Sequence, residues 1–244
     1  MNVRIYHTAG EIGKAAATVV SSQIIVNPRS VLGLATGASP IPTYRELIRL
    51  YRAGLVDFSM ATSFNLDEYI GLTREHPESY YYFMQKNLFE SINLPQTAIH
   101  VPCGTAANTE EECRHYDEMI TEAGGIDLQI LGIGNNGHIA FNEPCDSFPV
   151  GTHKVALTQS TIDANTRFFD NSEEVPRFAI SMGIGSIIRA RQIVLIAIGK
   201  TKAQAVHDMI QGPVTPRCPA SILQLHPNVT VFADDAAASL LCPG

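Results

Sequence analysis

The chain has no pair of cysteines at C-x-x-C spacing. Its five cysteines (Cys103, Cys113, Cys145, Cys218 and Cys242) are dispersed and odd in number. This excludes a disulfide framework and a thiolate zinc site, and it points to reduced thiols in a cytoplasmic protein. No Lys or Arg cluster is present either; 17 basic residues face 24 acidic ones, for a formal charge of −7. A nucleic-acid partner needs a basic stripe, so none is expected. A small anionic substrate remains open, because two or three well-placed cations are enough to hold it. No apolar run approaches the length of a membrane span, and MNVRIYHTAGE lacks the apolar centre of a signal peptide. Neither a membrane partner nor export is therefore expected. Linkers, repeats and low-complexity tracts are missing too, which predicts one domain over residues 1–244.

What is present is a regular alternation. Short β-rich runs fall at Asn2–Tyr6, Ser30–Ala35, Thr62–Leu66, Ile99–Pro102, Leu128–Ile133, Gln192–Ile198 and Thr230–Phe232. Helical patterns fall at Glu11–Ile25, Tyr44–Ala53, Glu78–Leu88, Thr109–Ala123 and Lys202–Ile210. Apolar strands alternating with helices predict an α/β fold, a mostly parallel sheet covered by helices on both faces. Such sheets bind ligands at the carboxyl ends of their strands. Four informative loops fall there: Thr36–Pro40, Asp67–Tyr69, Gly134–Glu143 and Gly199–Lys202.

The stretch LGIGNNGHIAFNEP, residues 131–144, carries the strongest chemical signal. His138 follows three closely spaced glycines, and Glu143 lies five residues on. An imidazole beside a carboxylate is a tuned acid/base pair, since the carboxylate sets the tautomer and supports the imidazolium. The alternative is a buried turn holding a satisfied histidine. FNLDEYIGL puts Asp67 and Glu68 directly after an apolar strand, where a carboxylate facing a pocket is a general base and one facing water is only a surface charge.

LATGASPIPTY ends a strand and opens a helix. Its small residues Thr36, Gly37, Ala38 and Ser39 can offer backbone N–H groups to an anion at a helix start. It is neither a Walker A loop nor a dinucleotide fingerprint. Arg167 in NTRFF and Lys202 in IGKTKAQA are candidate phosphate cations, with Lys200 competing in the second segment. The aromatic run in HPESYYYFM, just after the acidic loop, is either a lid packing over a site or core, and core is the preferred reading, because an aromatic stripe at helical spacing usually is.

Taken together, LATGASP, NLDEYIGL with HPESYYYFM, GIGNNGHIAFNEP, NTRFF and SILQLHP occur in one order over nearly the whole chain. This chain closely resembles the glucosamine-6-phosphate deaminase (glucosamine-6-phosphate isomerase) family. The resemblance implies a single-domain Rossmann-like fold and conversion of glucosamine 6-phosphate and water to fructose 6-phosphate and ammonia. It implies neither a metal nor an organic cofactor. It makes Asp67 the base that moves a proton between C2 and C1. It makes His138 the ring-opening group, with Glu143 as its partner, and gives the phosphate to the Thr36–Ser39 loop, Arg167 and Lys202. Some members carry Asp where this chain has Asn136, so here the ring-opening histidine would rely on Glu143 for charge.

The rival readings are a 6-phosphogluconolactonase-like hydrolase and a non-catalytic sugar-phosphate-binding regulatory module. The stretch after NEP holds only His153 and Lys154 as basic candidates, which speaks against allosteric activation by N-acetylglucosamine 6-phosphate. A homo-oligomer is compatible with the family.

Overall fold

The computed structural model describes residues 1–159, 162 and 175–242. Its centre is a seven-stranded sheet built from β1 (Asn2–Tyr6), β2 (Val31–Leu34), β3 (Thr62–Asn65), β5 (Ile99–His100), β6 (Leu128–Gly132), β9 (Gln192–Ala197) and β10 (Val229–Asp234). The order is β1-β10-β9-β6-β2-β3-β5, and every adjacent pair is parallel. The central strands are covered on both faces, so β2 is buried throughout and β9 is buried after its first residue. This is why they read as unbroken apolar runs rather than alternating ones.

The helices that cover the sheet include α1 (Ala9–Val26), α2 (Ile41–Arg52), α3 (Tyr80–Asn87) and α4 (Thr109–Glu122). α1 starts at a capping box: Thr8 Oγ1 accepts from the Glu11 amide at 3.2 Å, and Glu11 Oε2 accepts from the Thr8 amide at 3.0 Å. Two otherwise unpaired helix-start donors are thereby satisfied. α4 starts at Asn108, whose Oδ1 accepts from the amides of Glu110 and Glu111. Three glutamates in its first turn suit the positive end of the helix dipole.

The sequence pattern did not reveal a second, smaller sheet. β4 (Asp67–Tyr69), β7 (His153–Ala156) and β8 (Phe178–Ser181) form an antiparallel unit in the order β4-β8-β7. The chain leaves β3, passes Leu66, and re-enters β structure at once. Asp67, expected in a turn, is the first residue of β4 and lies opposite Ser181. His153 and Lys154 belong to β7, where the Lys154 ammonium sits 4.2 Å over the Phe178 ring.

Candidate active site

Three of the four loops singled out in the sequence meet at the carboxyl ends of the parallel strands, around a cleft of about 820 Å³. The fourth contributes through Asp67, which reaches the same cleft from β4. Thr36, Gly37, Ala38 and Ser39 line one part of it, as do Asn136, His138 and Glu143. Lys202 lines it and Lys200 does not; Lys200 points into solvent. Arg167 lies outside the described residues.

The phosphate-loop candidate follows from β2. Gly37 takes a φ of 89°, in the left-handed region that favours glycine, and this turns the backbone sharply into α2. Pro40 caps α2 without any side-chain hydrogen bond. Among the described residues, no acceptor takes the amides of Gly37, Ala38 or Ser39. Free amides at the positive end of a twelve-residue helix form an anion cradle.

Lys202 approaches from a short 3₁₀ turn, Lys200–Lys202. Its half-burial disfavours the charged form and lowers its pKa, so a bound anion would relieve that cost. The turn is pinned by a residue that sequence reasoning missed. Asp234, at the end of β10, accepts from the Gly199 amide with both oxygens, at 3.0 and 2.9 Å. The neighbouring strand was legible in the sequence, but nothing there marked its last carboxylate.

The His138 loop is built around a close approach. A Cβ on Gly134 would lie 2.2 Å from the imidazole, so only glycine leaves room for the ring there. Asn136 Nδ2 donates to Glu143 Oε2 at 2.6 Å, and the His138 amide donates to Asn136 Oδ1 at 3.2 Å. His138 Nδ1 stands 3.2 Å from Glu143 Oε1, within ion-pair range but out of line for a hydrogen bond. Burial pushes the Glu143 carboxyl up. The His138 contact and the Asn136 amide outweigh burial and hold it below its ordinary value. Asn136 thus orients the carboxylate without adding charge.

Beyond His138 the backbone is strained. Ala140 has a φ of 52°, the one positive value outside glycine among the described residues. Buried Asn142 holds that turn, its Nδ2 donating to the carbonyls of Ile139 and Met182 at 2.9 Å each.

Asp67 and Glu68, equivalent in the sequence, part company here. Successive strand residues face opposite ways. Asp67 faces the cleft and has no hydrogen-bond partner among the described residues. Burial, followed by the charge of Glu68, raises its pKa from 3.8 to about 8. Glu68 turns away and accepts three backbone amides, from Tyr69 and Tyr80 on Oε1 and from Tyr81 on Oε2, at 2.8 to 2.9 Å. Tyr80, read as core in the sequence, packs against Tyr69 and Phe141 and also lines the cleft.

A carboxyl whose pKa is raised by burial, an imidazole–carboxylate pair and an anion cradle thus share one cleft. The family pattern described as glucosamine-6-phosphate isomerases/6-phosphogluconolactonase matches residues 6–232. The chain belongs to this family. It is 54% identical to a glucosamine-6-phosphate deaminase of Thermoanaerobacter pseudethanolicus, over 99% of this chain and 95% of that one. It is 52% identical to a glucosamine-6-phosphate deaminase of Halothermothrix orenii, over 99% and 100%. A solved monomeric glucosamine-6-phosphate deaminase superposes with a TM-score of 0.95 at 42% identity, covering 98% of this chain and all of that one. A 6-phosphogluconolactonase from Trypanosoma cruzi superposes at 0.79 with 18% identity, covering 99% of this chain and 97% of that one, which shows a shared fold. As expected of the family, the architecture is a Rossmann-like α/β domain with a mostly parallel sheet flanked by helices. No described helix is long and apolar enough to cross a membrane.

Proposed function

We propose that the chain converts glucosamine 6-phosphate and water to fructose 6-phosphate and ammonia. The observation that carries this reading is Asp67. A lactonase activates water and needs no base for a carbon acid. Here a buried carboxylate without a hydrogen-bond partner among the described residues, its pKa raised to about 8, faces the same cleft as the His138–Glu143 pair. A strong, desolvated carboxylate is what removal of a proton from carbon requires. The regulatory-module reading is disfavoured because Asp67, His138 and Glu143 are all retained.

The substrate enters as a closed pyranose. His138 moves a proton between the anomeric hydroxyl and the ring oxygen, with Glu143 supporting the imidazolium and Asn136 holding Glu143 in place. The open chain then presents C2, which bears the ammonium. Asp67 takes the C2 proton; the electron pair moves to the C1 carbonyl, whose oxygen gains a proton while the nitrogen loses one, giving an enolamine. Asp67 returns its proton to C1, which leaves an iminium at C2. The ammonium acidifies C2 and, close to Asp67, favours the carboxylate form of the base. Water adds to the resulting iminium at C2, and ammonia leaves. The Gly37–Ser39 amides and Lys202, with Arg167 matched by sequence, hold the phosphate and supply positional binding energy far from the reacting carbons.

A coupled assay for fructose 6-phosphate and ammonia tests the activity, with 6-phosphogluconolactone hydrolysis run in parallel. Lactone hydrolysis without ammonia release would overturn the reading. Lys202→Ala is expected to raise KM by about tenfold or more, the worth of one hydrogen bond to a charged group, with kcat changed less. Lys200→Ala should leave both near wild type; equal effects from the two variants would remove Lys202 as the phosphate ligand.

The chemistry also needs no metal, since the C1 carbonyl of the open chain takes up the electron pair and the neighbouring ammonium acidifies C2. Among the described residues, no three His, Cys, Asp or Glu side chains converge to hold one. Full activity is expected after exhaustive chelation. Loss restored by added zinc or magnesium would contradict this mechanism.

A further inference from the structure

Glu68 is the least explained group near the cleft. It is 2% exposed, and burial drives its carboxyl up to about 7 against the pull of three amides and of Arg74. Desolvating a carboxylate is costly, and a surface serine or aspartate can cap a helix without that cost. α3 already has such a cap: Ser79 Oγ accepts from the Tyr82 amide at 3.1 Å. Glu68 takes the two remaining first-turn donors, the amides of Tyr80 and Tyr81, both at 2.9 Å. The start of α3 is thereby tied to the strand residue next to the catalytic base.

Tyr80 is what that tie places. Its hydroxyl donates to the Tyr69 hydroxyl at 3.0 Å and faces the Thr36 side chain of the phosphate loop. Its ring lies nearly parallel to Phe141, 6.0 Å away at 8°, three residues beyond His138. Asp67 is close enough to push the phenol further up, beyond the effects of burial and of Tyr69. Tyr80 therefore stands against all three functional segments: the phosphate loop, the base strand and the His138 loop.

Resting on the deaminase reading above, we propose that Glu68 is a positioning residue that clamps α3 so that Tyr80 forms the wall of the sugar site. That wall bears on the hexose chain between its phosphate and C2. The assignment follows from span. The phosphate end of the cleft is at Thr36–Ser39 and the C2 end at Asp67; Tyr80 meets Thr36 by hydrogen bond, and with Asp67 lines the same cleft, near enough for the carboxylate charge to act on the phenol. A hexose carries hydroxyls on the carbons between, which a phenol can meet by hydrogen bond and by ring contact. Glu68 has a second effect because it adjoins Asp67: its charge is one of the two causes that raise the base. The charged and titratable groups facing the pair are Arg74 at Glu68, and Tyr80 of α3 and Tyr116 of α4 at Asp67.

The test is steady-state kinetics of Glu68→Gln and Tyr80→Phe on glucosamine 6-phosphate as a function of pH, with melting temperatures recorded for both. The Gln variant keeps one acceptor oxygen, loses the charge and sets an NH₂ against a backbone amide. It should fold, lose about tenfold in kcat, and shift the acid limb of kcat/KM to lower pH, because Asp67 loses a neighbouring charge. Tyr80→Phe keeps the ring and should lose about tenfold in kcat/KM, the worth of a hydrogen bond to substrate, with the pH profile scarcely moved. A purely structural Glu68 would lower the melting temperature and leave the acid limb in place, and that result overturns the proposal. So does a Tyr80→Phe variant with wild-type kinetics. If the wild-type enzyme releases no ammonia from glucosamine 6-phosphate, the deaminase reading fails first and takes this inference with it.

Discussion

Asp67→Asn is expected to lower kcat by about 10²–10⁴-fold, the usual worth of a general base, while substrate affinity stays near wild type. The same substitution is expected to raise the melting temperature at pH 8. Both effects have one cause. Burial and the Glu68 charge disfavour ionisation of Asp67, so its folded pKa stands near 8 against 3.8 for the free side chain. The folded protein therefore holds a proton that the unfolded chain releases. Folding stability falls as pH rises from about 4 to about 8, and the cost is complete above the folded value. Asn carries no charge to desolvate, so the variant recovers that cost at pH 8 and recovers almost nothing at pH 4. One kilocalorie recovered would move the melting point by about 2–4 °C in a chain of this size. A base poised this way also predicts an acid limb in the wild-type kcat/KM profile, rising with pH toward about 8. Kinetics, a binding titration and melting curves at the two pH values check the set. Near wild-type turnover in the Asn variant would remove Asp67 from the mechanism. Equal melting shifts at pH 4 and pH 8 would mean that its burial is not what tunes it.

The sequence was informative where a single local constraint acts. Buried parallel strands are apolar over most of their length, and β6, apart from Gln129, and β9 were visible for that reason. Three cleft loops were visible because they leave the carboxyl ends of β2, β6 and β9, which the topology brings together; those after β2 and β9 lead into helices, and the His138 loop runs on to β7. β4, β7 and β8 were not visible. They are three or four residues long, and β4 reads DEY, three polar-tipped residues that make sense as a strand only when opposed to Phe178–Ser181 far along the chain. The same long-range pairing decides which carboxylate of the Asp67–Glu68 pair meets the cleft. Tyr80 was hidden for a related reason. In a run of three tyrosines, helical spacing does not say which ring turns toward a cavity, and the choice is made by Glu68 holding the start of α3. Residue pattern did not separate Lys202 from Lys200, although the family resemblance chose Lys202; in the structure the 3₁₀ turn that Asp234 fixes through the Gly199 amide makes the distinction.

His138→Gln is expected to reduce turnover of glucosamine 6-phosphate steeply while leaving the binding of an open-chain analogue nearly unchanged. 2-Amino-2-deoxy-glucitol 6-phosphate serves as that analogue, because it cannot cyclise. The ring-opening proton has to travel between two oxygens of the substrate, and a glutamine amide does not exchange protons near neutral pH. The general acid/base contribution at stake is about 10²–10⁴-fold. Binding of the extended hexitol uses other groups: the amides after Gly37, Lys202 and the Asp67 end of the cleft, none of which makes a hydrogen bond or ion pair to the His138 ring among the described residues. What does contact it is Glu143, 3.2 Å from Nδ1, and the Gly134 backbone beneath it. Glu143→Gln should therefore give a milder defect. An amide in that place can still meet Asn136 and orient the imidazole, but it cannot support the imidazolium. The expected order of turnover is wild type, then Glu143→Gln, then His138→Gln, with inhibition by the hexitol constant across all three. If His138→Gln loses the inhibitor as completely as it loses turnover, the histidine holds the whole sugar rather than opening its ring.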